Sequence, residues 1–267
     1  MDIFEGFSED NSGRTLFRGE MTPARARALT ECAVLAYKPE DVVRAALKKE
    51  TQVTQVEWLE AVGRSFDSQA FLCVLPGHVI LAFRGTESIQ DFVTDVMAVR
   101  RKFKNFAGEE TKYEVHAGFQ RALNALWSDE RSARREARSK SGSPLDKLLK
   151  ELSEKHPQAK LWLTGHSLGA ALATIAAARI RLADATPFQD RIGGLLTIGS
   201  PRVFDKAAAT KLETSLGEDR ILRIYRSMDP VSVVPFWGFT HVSGERRAFV
   251  SRNGKLVIGA RGPYRWL

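Results

Sequence analysis

The sequence predicts an α/β fold, a mostly parallel sheet flanked by helices, and three observations carry that expectation. KLWLT, GGLLTIG and RILRIY are short apolar runs, each separated from the next by a segment of helical character. Parallel strands joined by crossover helices read this way, because each strand is covered on both faces. AFLCVL and HVILAF flank Pro76-Gly77, two β-rich runs around a turn pair, the pattern of a hairpin. Finally, 267 residues with 43% hydrophobic side chains are enough for one domain with a substantial core.

Taken in order, the chain opens with a polar, Gly-containing segment to about Glu20. MTPARARALTECAVLAY then starts a helical segment expected over about residues 22–60. Thr22 is placed to cap it, because a hydroxyl there accepts an N–H that the first turn leaves unpaired, and Pro23 suits the first helical position. Leu29, Cys32, Ala33 and Ala36 form its apolar stripe. After the hairpin, SDERSARREARSKSGSPLDKLLK, Ser128 to Lys150, is dense in both signs of charge and predicts a solvated helix and loop. The terminal RRAFVSRNGKLVIG, with Asn253-Gly254 as turn residues, predicts a hairpin or two edge strands. No internal repeat interrupts this order, and residues 1–267 read as one domain.

Charge and composition narrow the function classes. Lys and Arg number 40 against 32 Asp and Glu, a net charge of +8, so anionic surfaces attract the chain. Nucleic acid is not an expected partner, since no aromatic-interleaved basic patch or recognition motif accompanies the charge. Cys32 and Cys73 sit in apolar stretches and are too few for a disulfide framework; they read as buried thiols. MDIFEGFSEDN is acidic, without the basic and apolar regions of an export signal, and no apolar run approaches the ~18 residues of a membrane span. A soluble chain is the expectation.

The chemistry concentrates in LTGHSLGAAL, Leu163 to Leu172. A strand, KLWLT, runs through G-H-S-L-G into an alanine-rich helix, so Ser167 falls on a strand-to-helix turn that exposes a nucleophilic hydroxyl. Gly165 and Gly169 stand two residues to either side, where a Cβ would collide as the chain doubles back. The serine also lies at a helix N-terminus, whose unpaired N–H groups favour developing negative charge. Asp229 follows the apolar strand RILRIY just before Pro230, at the strand end where α/β folds place their ligands.

GHSLGAALA, with LAFRGTESIQDFVTD, YEVHAGFQRAL, TIGSPRV and SMDPVSVVP in the same order, resembles the class 3 (fungal-lipase-like) family of α/β-hydrolases, over about Phe71 to His241. The resemblance implies an α/β-hydrolase fold and a serine carboxylester hydrolase acting on acylglycerols or similar lipid esters. Ser167 would be its nucleophile, Asp229 the acid, and Thr86 the second oxyanion donor beside Leu168. A phospholipase A1 activity, or a lipid-binding protein without catalysis, are the alternatives on the same fold. In SIQDFVTDVMAV, Ile89, Phe92, Val93, Val96 and Met97 share one helical face, which reads either as an ordinary core-packed helix or, as the resemblance implies from its position, as a lid, with Arg100, Arg101, Lys102 and Lys104 behind it to meet anionic headgroups of a lipid surface. No metal or organic cofactor is implied.

The base is the open position. The order serine, acid, histidine requires a histidine beyond Asp229, and of residues 78, 116, 156, 166 and 241 only His241 qualifies. The family resemblance instead puts the base on a still later segment. Either His241 serves, or the sequence is cut short or diverges before its base. His166, beside the serine, is expected to point away into packing.

Overall fold

The computed structural model describes residues 3–8, 20–63, 67–86, 99–127, 137–139, 143–226, 229–235, 237–242, 247–250 and 256–258. Helices α1 (Glu5–Ser8), α2 (Pro23–Leu35) and α3 (Glu40–Lys48) precede the first strands. Thr22 caps α2 as expected, its Oγ1 accepting from Arg25 N at 3.2 Å. The segment expected to be helical over 22–60 gives way at its end to β1 (Gln55–Gly63). Strands β2 (Asp67–Leu75) and β3 (His78–Phe83) form the expected antiparallel hairpin. Then follow β4 (Arg100–Lys104), β5 (Glu110–His116), α4 (Ala117–Trp127), β6 (Ala137–Ser139), α5 (Leu145–Lys155), β7 (Lys160–His166), α6 (Leu168–Arg181), β8 (Ile192–Ile198), α7 (Lys206–Leu216), β9 (Ile221–Arg226), β10 (Arg247–Val250) and β11 (Leu256–Ile258).

The main sheet runs β11-β10-β9-β8-β7-β3-β2-β1-β6, and β4-β5 form a separate pair. Its centre, β3-β7-β8-β9-β10, is parallel, with antiparallel strands at both margins. Along β2, buried side chains alternate between two cores. Ala70, Leu72 and Val74 face a core shared with α4, α5, α6 and α7, whereas Phe71, Cys73 and Leu75 face α1, α2 and α3. Two cores on opposite faces of one sheet are what keep its centre parallel and dry. Both cysteines are buried thiols, pushed above their ordinary pKa by that burial.

Two expectations are corrected. Within Ser128–Lys150, Ala137–Ser139 pairs with β1 as an edge strand rather than joining a helix, and α5 is only half solvated, since Leu145, Leu148, Leu149 and Leu152 reach the core. The polar N-terminal segment contributes Phe4 and Phe7 to the second core. The terminal hairpin forms, with Ala248 opposite Ile258. Its Asn253-Gly254 turn, and the segment from Ile89 to Met97 for which a lid is expected, lie outside the described residues.

Candidate active site

Ser167 stands where β7 ends and α6 begins, with φ 56° and ψ −123°. An L-residue adopts that backbone only under constraint, and here the constraint is contact on both sides. A Cβ on Gly165 would fall 2.4 Å from the Gly169 backbone, and one on Gly169 would fall 2.3 Å from the Phe83 carbonyl oxygen. Both neighbours are main chain and cannot swing aside. The Ser167 N–H donates to Ile198 O on β8 at 2.9 Å, and its own carbonyl accepts from Ala170 N at 3.0 Å. The serine is 1% exposed and its Oγ has no hydrogen-bond partner among the described residues.

Thr86 lies just past β3, half-buried. The strand end that carries it touches the elbow: a Cβ on Gly85 would fall 2.5 Å from the His166 carbonyl oxygen. Leu168 opens α6, so its N–H is among the four that no helical carbonyl can satisfy. The two expected oxyanion donors therefore flank one contact between β3 and the elbow.

Asp229 sits beyond the end of β9, half-buried. Its Oδ1 accepts from Val231 N at 3.0 Å and its carbonyl from Ser232 Oγ at 2.8 Å, which fixes a tight turn. Its Oδ2 faces Gly199 at the end of β8, 3.1 Å from where a Cβ would stand, and His166 Nε2 lies 3.5 Å from the same point. The acid thus lies near His166, whose ring packs against Tyr37 and Gly199 and leaves the Ser167 hydroxyl without a partner among the described residues, in keeping with the expectation that it serves packing. His166 is half-buried, and its Nδ1 lies 2.7 Å from the Tyr37 hydroxyl. Burial lowers its pKa and the Asp229 carboxylate opposes that shift.

His241 hangs on the same turn as the acid. Its Nε2 lies 2.8 Å from Ser232 O and 3.1 Å from Arg223 Nη2. Nε2 thus stands between a guanidinium that donates and a carbonyl that accepts, and is turned to the acid's turn rather than to Ser167 Oγ. The other histidines have structural partners. His78 Nδ1 accepts from Trp162 Nε1 at 3.1 Å, His116 is buried between Phe119 and Phe239, and His156 caps α5. No group of three His, Cys, Asp or Glu among the described residues is arranged to hold a metal ion. Sequence reasoning missed Tyr37, which nothing in VLAYKPE marks.

The chain is 30% identical over 193 residues to Lipase A of Sodiomyces alcalophilus, covering 62% of this chain and 42% of that protein. It is 25% identical over 272 residues to Triacylglycerol lipase OBL1 of Arabidopsis thaliana, covering 88% of this chain and 50% of that one. The chain spans about half the length of the curated relatives it matches. Lipase II of Rhizopus niveus shares its fold with TM-score 0.62 at 21% identity, over 86% of this chain and 82% of that structure. The family described as Lipase (class 3) matches residues 80–239, more than half of the chain and a span that includes the serine elbow, so the chain belongs to the class 3 lipase family.

Proposed function

We propose that this chain hydrolyses carboxylic esters of lipids through an acyl-enzyme, with Ser167 as nucleophile. One observation carries the reading: a buried serine is held at φ 56° between β7 and α6 with its Oγ unengaged among the described residues. A structural serine would spend that hydroxyl on a neighbour, because a buried polar atom without a partner costs about 1–3 kcal/mol. Ser167 Oγ attacks the ester carbonyl as a histidine takes its proton. The negative oxygen that forms is held by N–H groups at Leu168 and Thr86, and the histidine returns the proton to the departing alcohol. Water then repeats the sequence on the acyl-serine.

Asp229 is assigned to orient the histidinium and His241 to be the base. Support for His241 is its attachment to the acid's turn through Ser232; to serve, its ring must leave the Ser232 carbonyl. Acylglycerols are the proposed substrates, in keeping with the names of the relatives, and the basic surface suits contact with a lipid aggregate. No helix among the described residues is long and apolar enough to cross a membrane.

One observation favours a second reading, lipid binding without catalysis: no described histidine hydrogen-bonds Ser167 Oγ. A fluorophosphonate probe separates the two. Covalent capture at Ser167, abolished in Ser167→Ala, upholds the hydrolase, whereas binding to lipid vesicles without any capture upholds the binding protein.

A further inference from the structure

The strand end carrying Thr86 and the elbow carrying Ser167 meet at one side chain from a distant part of the chain. Tyr37 follows α2, and its hydroxyl lies 2.7 Å from Nδ1 of His166, 129 residues away in sequence. A Cβ on Gly85 would fall 2.1 Å from that hydroxyl. The space in which Tyr37 reaches His166 is thus the space of the side chain that Gly85 lacks. The Arg84 guanidinium lies 6.0 Å from the centre of the Tyr37 ring, so the residue before Gly85 also packs on this tyrosine.

We propose that Tyr37 is a positioning residue for ester hydrolysis: its O–H donates to His166 Nδ1, turns the Nε2–H of that ring toward Asp229, and keys the Thr86 strand end to the nucleophile elbow. This inference rests on the assignment of Ser167, Asp229 and Thr86 given above.

The tautomer follows from electrostatics. Asp229 Oδ2 and His166 Nε2 both lie within about 3.5 Å of the point where a Cβ on Gly199 would stand, close enough for the carboxylate to act on the ring electrostatically although no hydrogen bond joins them. A neutral imidazole is stabilised next to a carboxylate when an N–H faces it and destabilised when a lone pair does. Burial keeps the ring toward its neutral form, although Asp229 opposes this. With the proton on Nε2, Nδ1 must accept, and the tyrosine hydroxyl is the donor placed to supply it. Removing that donor releases the ring to either tautomer, and the wrong one presents a lone pair to Asp229. The same change empties the contact against Gly85, so both the acid and the oxyanion strand lose a fixed neighbour.

The test uses the full chain as wild type, Tyr37→Phe, His166→Asn and His166→Leu. Nitrogen-15 NMR of labelled histidines should show His166 of the wild type with its proton on Nε2, and Tyr37→Phe should lose that uniform state. Turnover of p-nitrophenyl butyrate should fall in kcat by about three- to tenfold with KM unchanged, the loss of one positioning hydrogen bond. His166→Asn, whose side-chain oxygen can accept from Tyr37, should keep most of kcat, and His166→Leu should not. The proposal is overturned by a wild-type proton on Nδ1, by an unchanged tautomer in Tyr37→Phe, or by a lower melting temperature with kcat intact. If the wild type itself turns over no more ester than Ser167→Ala, the hydrolase reading fails and the positioning role with it; that case is distinguished by an inactive parent rather than an impaired variant.

Discussion

The nucleophile elbow and the acid turn stand at the same end of one sheet, after β7 and β9, yet they are built by different means. The elbow is five consecutive residues, Gly165 to Gly169, locked by main chain against main chain. The acid turn is a relay of side chain and backbone: Asp229 to Val231, Ser232 to Asp229, His241 to Ser232. Steric exclusion by backbone has no soft alternative, whereas each bond of the relay contributes about 0.5–1.5 kcal/mol and can be exchanged for another. Ser167 is therefore rigidly placed, whereas His241, the proposed base, is held by bonds that can be exchanged for others.

The sharpest way to break this comparison is at the nucleophile. Ser167→Ala should reduce p-nitrophenyl ester turnover on the order of a millionfold, toward background, with an unchanged far-ultraviolet circular dichroism spectrum. Full activity in that variant would remove the elbow from the chemistry.

The acid turn comes next. Asp229→Asn should lower kcat on the order of 10⁴-fold, and His241→Ala should reach nearly the same floor as Ser167→Ala, because the members of such a set fail together. A double variant no worse than either single one confirms the coupling in steady-state assays. If His241→Ala turns over ester at the wild-type rate, the base is another group and the relay only holds the acid.

Thr86→Gly should cost about a hundredfold, chiefly in kcat, since oxyanion contacts strengthen as charge develops. A change confined to KM would make Thr86 a substrate contact instead. Gly169→Ala tests the backbone lock itself. Its new Cβ meets the Phe83 carbonyl at 2.3 Å, so urea denaturation should report a loss of about 1–3 kcal/mol; no loss would show the elbow to be softer than argued.

The smallest effect belongs to the far end of the sheet and serves as the control. His78 is pushed from its ordinary 6.5 down to about 4, first by burial, then by Arg25 and Lys160, partly opposed by Glu20. The unfolded chain therefore binds this proton more readily than the folded one, so His78 lowers stability as pH falls from about 6.5 to about 4. Because the ring is partly exposed, we expect only about 1–2 kcal/mol. Denaturation midpoints at pH 7 and pH 5 should converge in His78→Gln, without any change in the pH profile of kcat.

Local features were legible in the sequence because their causes are local. The Thr22 cap needs a hydroxyl three residues before an N–H, and the hairpin at Pro76-Gly77 needs two flanking β-rich runs. The elbow needs small residues spaced around a serine. The edge strand Ala137–Ser139 was not legible, because three residues, Ala-Arg-Ser, are too few to show a strand period and only the register with β1 selects a strand. Nor was the burial of Phe4 and Phe7, since a short polar-looking segment reveals its apolar partners only when His78 and Trp162 meet Phe7.

By itself, then, the sequence determined the parallel sheet, the serine on its strand-to-helix turn and the strand that delivers Asp229, all of which follow from periodicity and spacing within a few residues. Only the tertiary structure decided what stands beside them: Tyr37 against His166 across 129 residues, Gly85 against the elbow, and Nε2 of His241 on Ser232 O rather than on Ser167. Those choices depend on how strands separated by helices are brought into register, and a polar side chain's partner is set by whichever group that register leaves within about 3 Å.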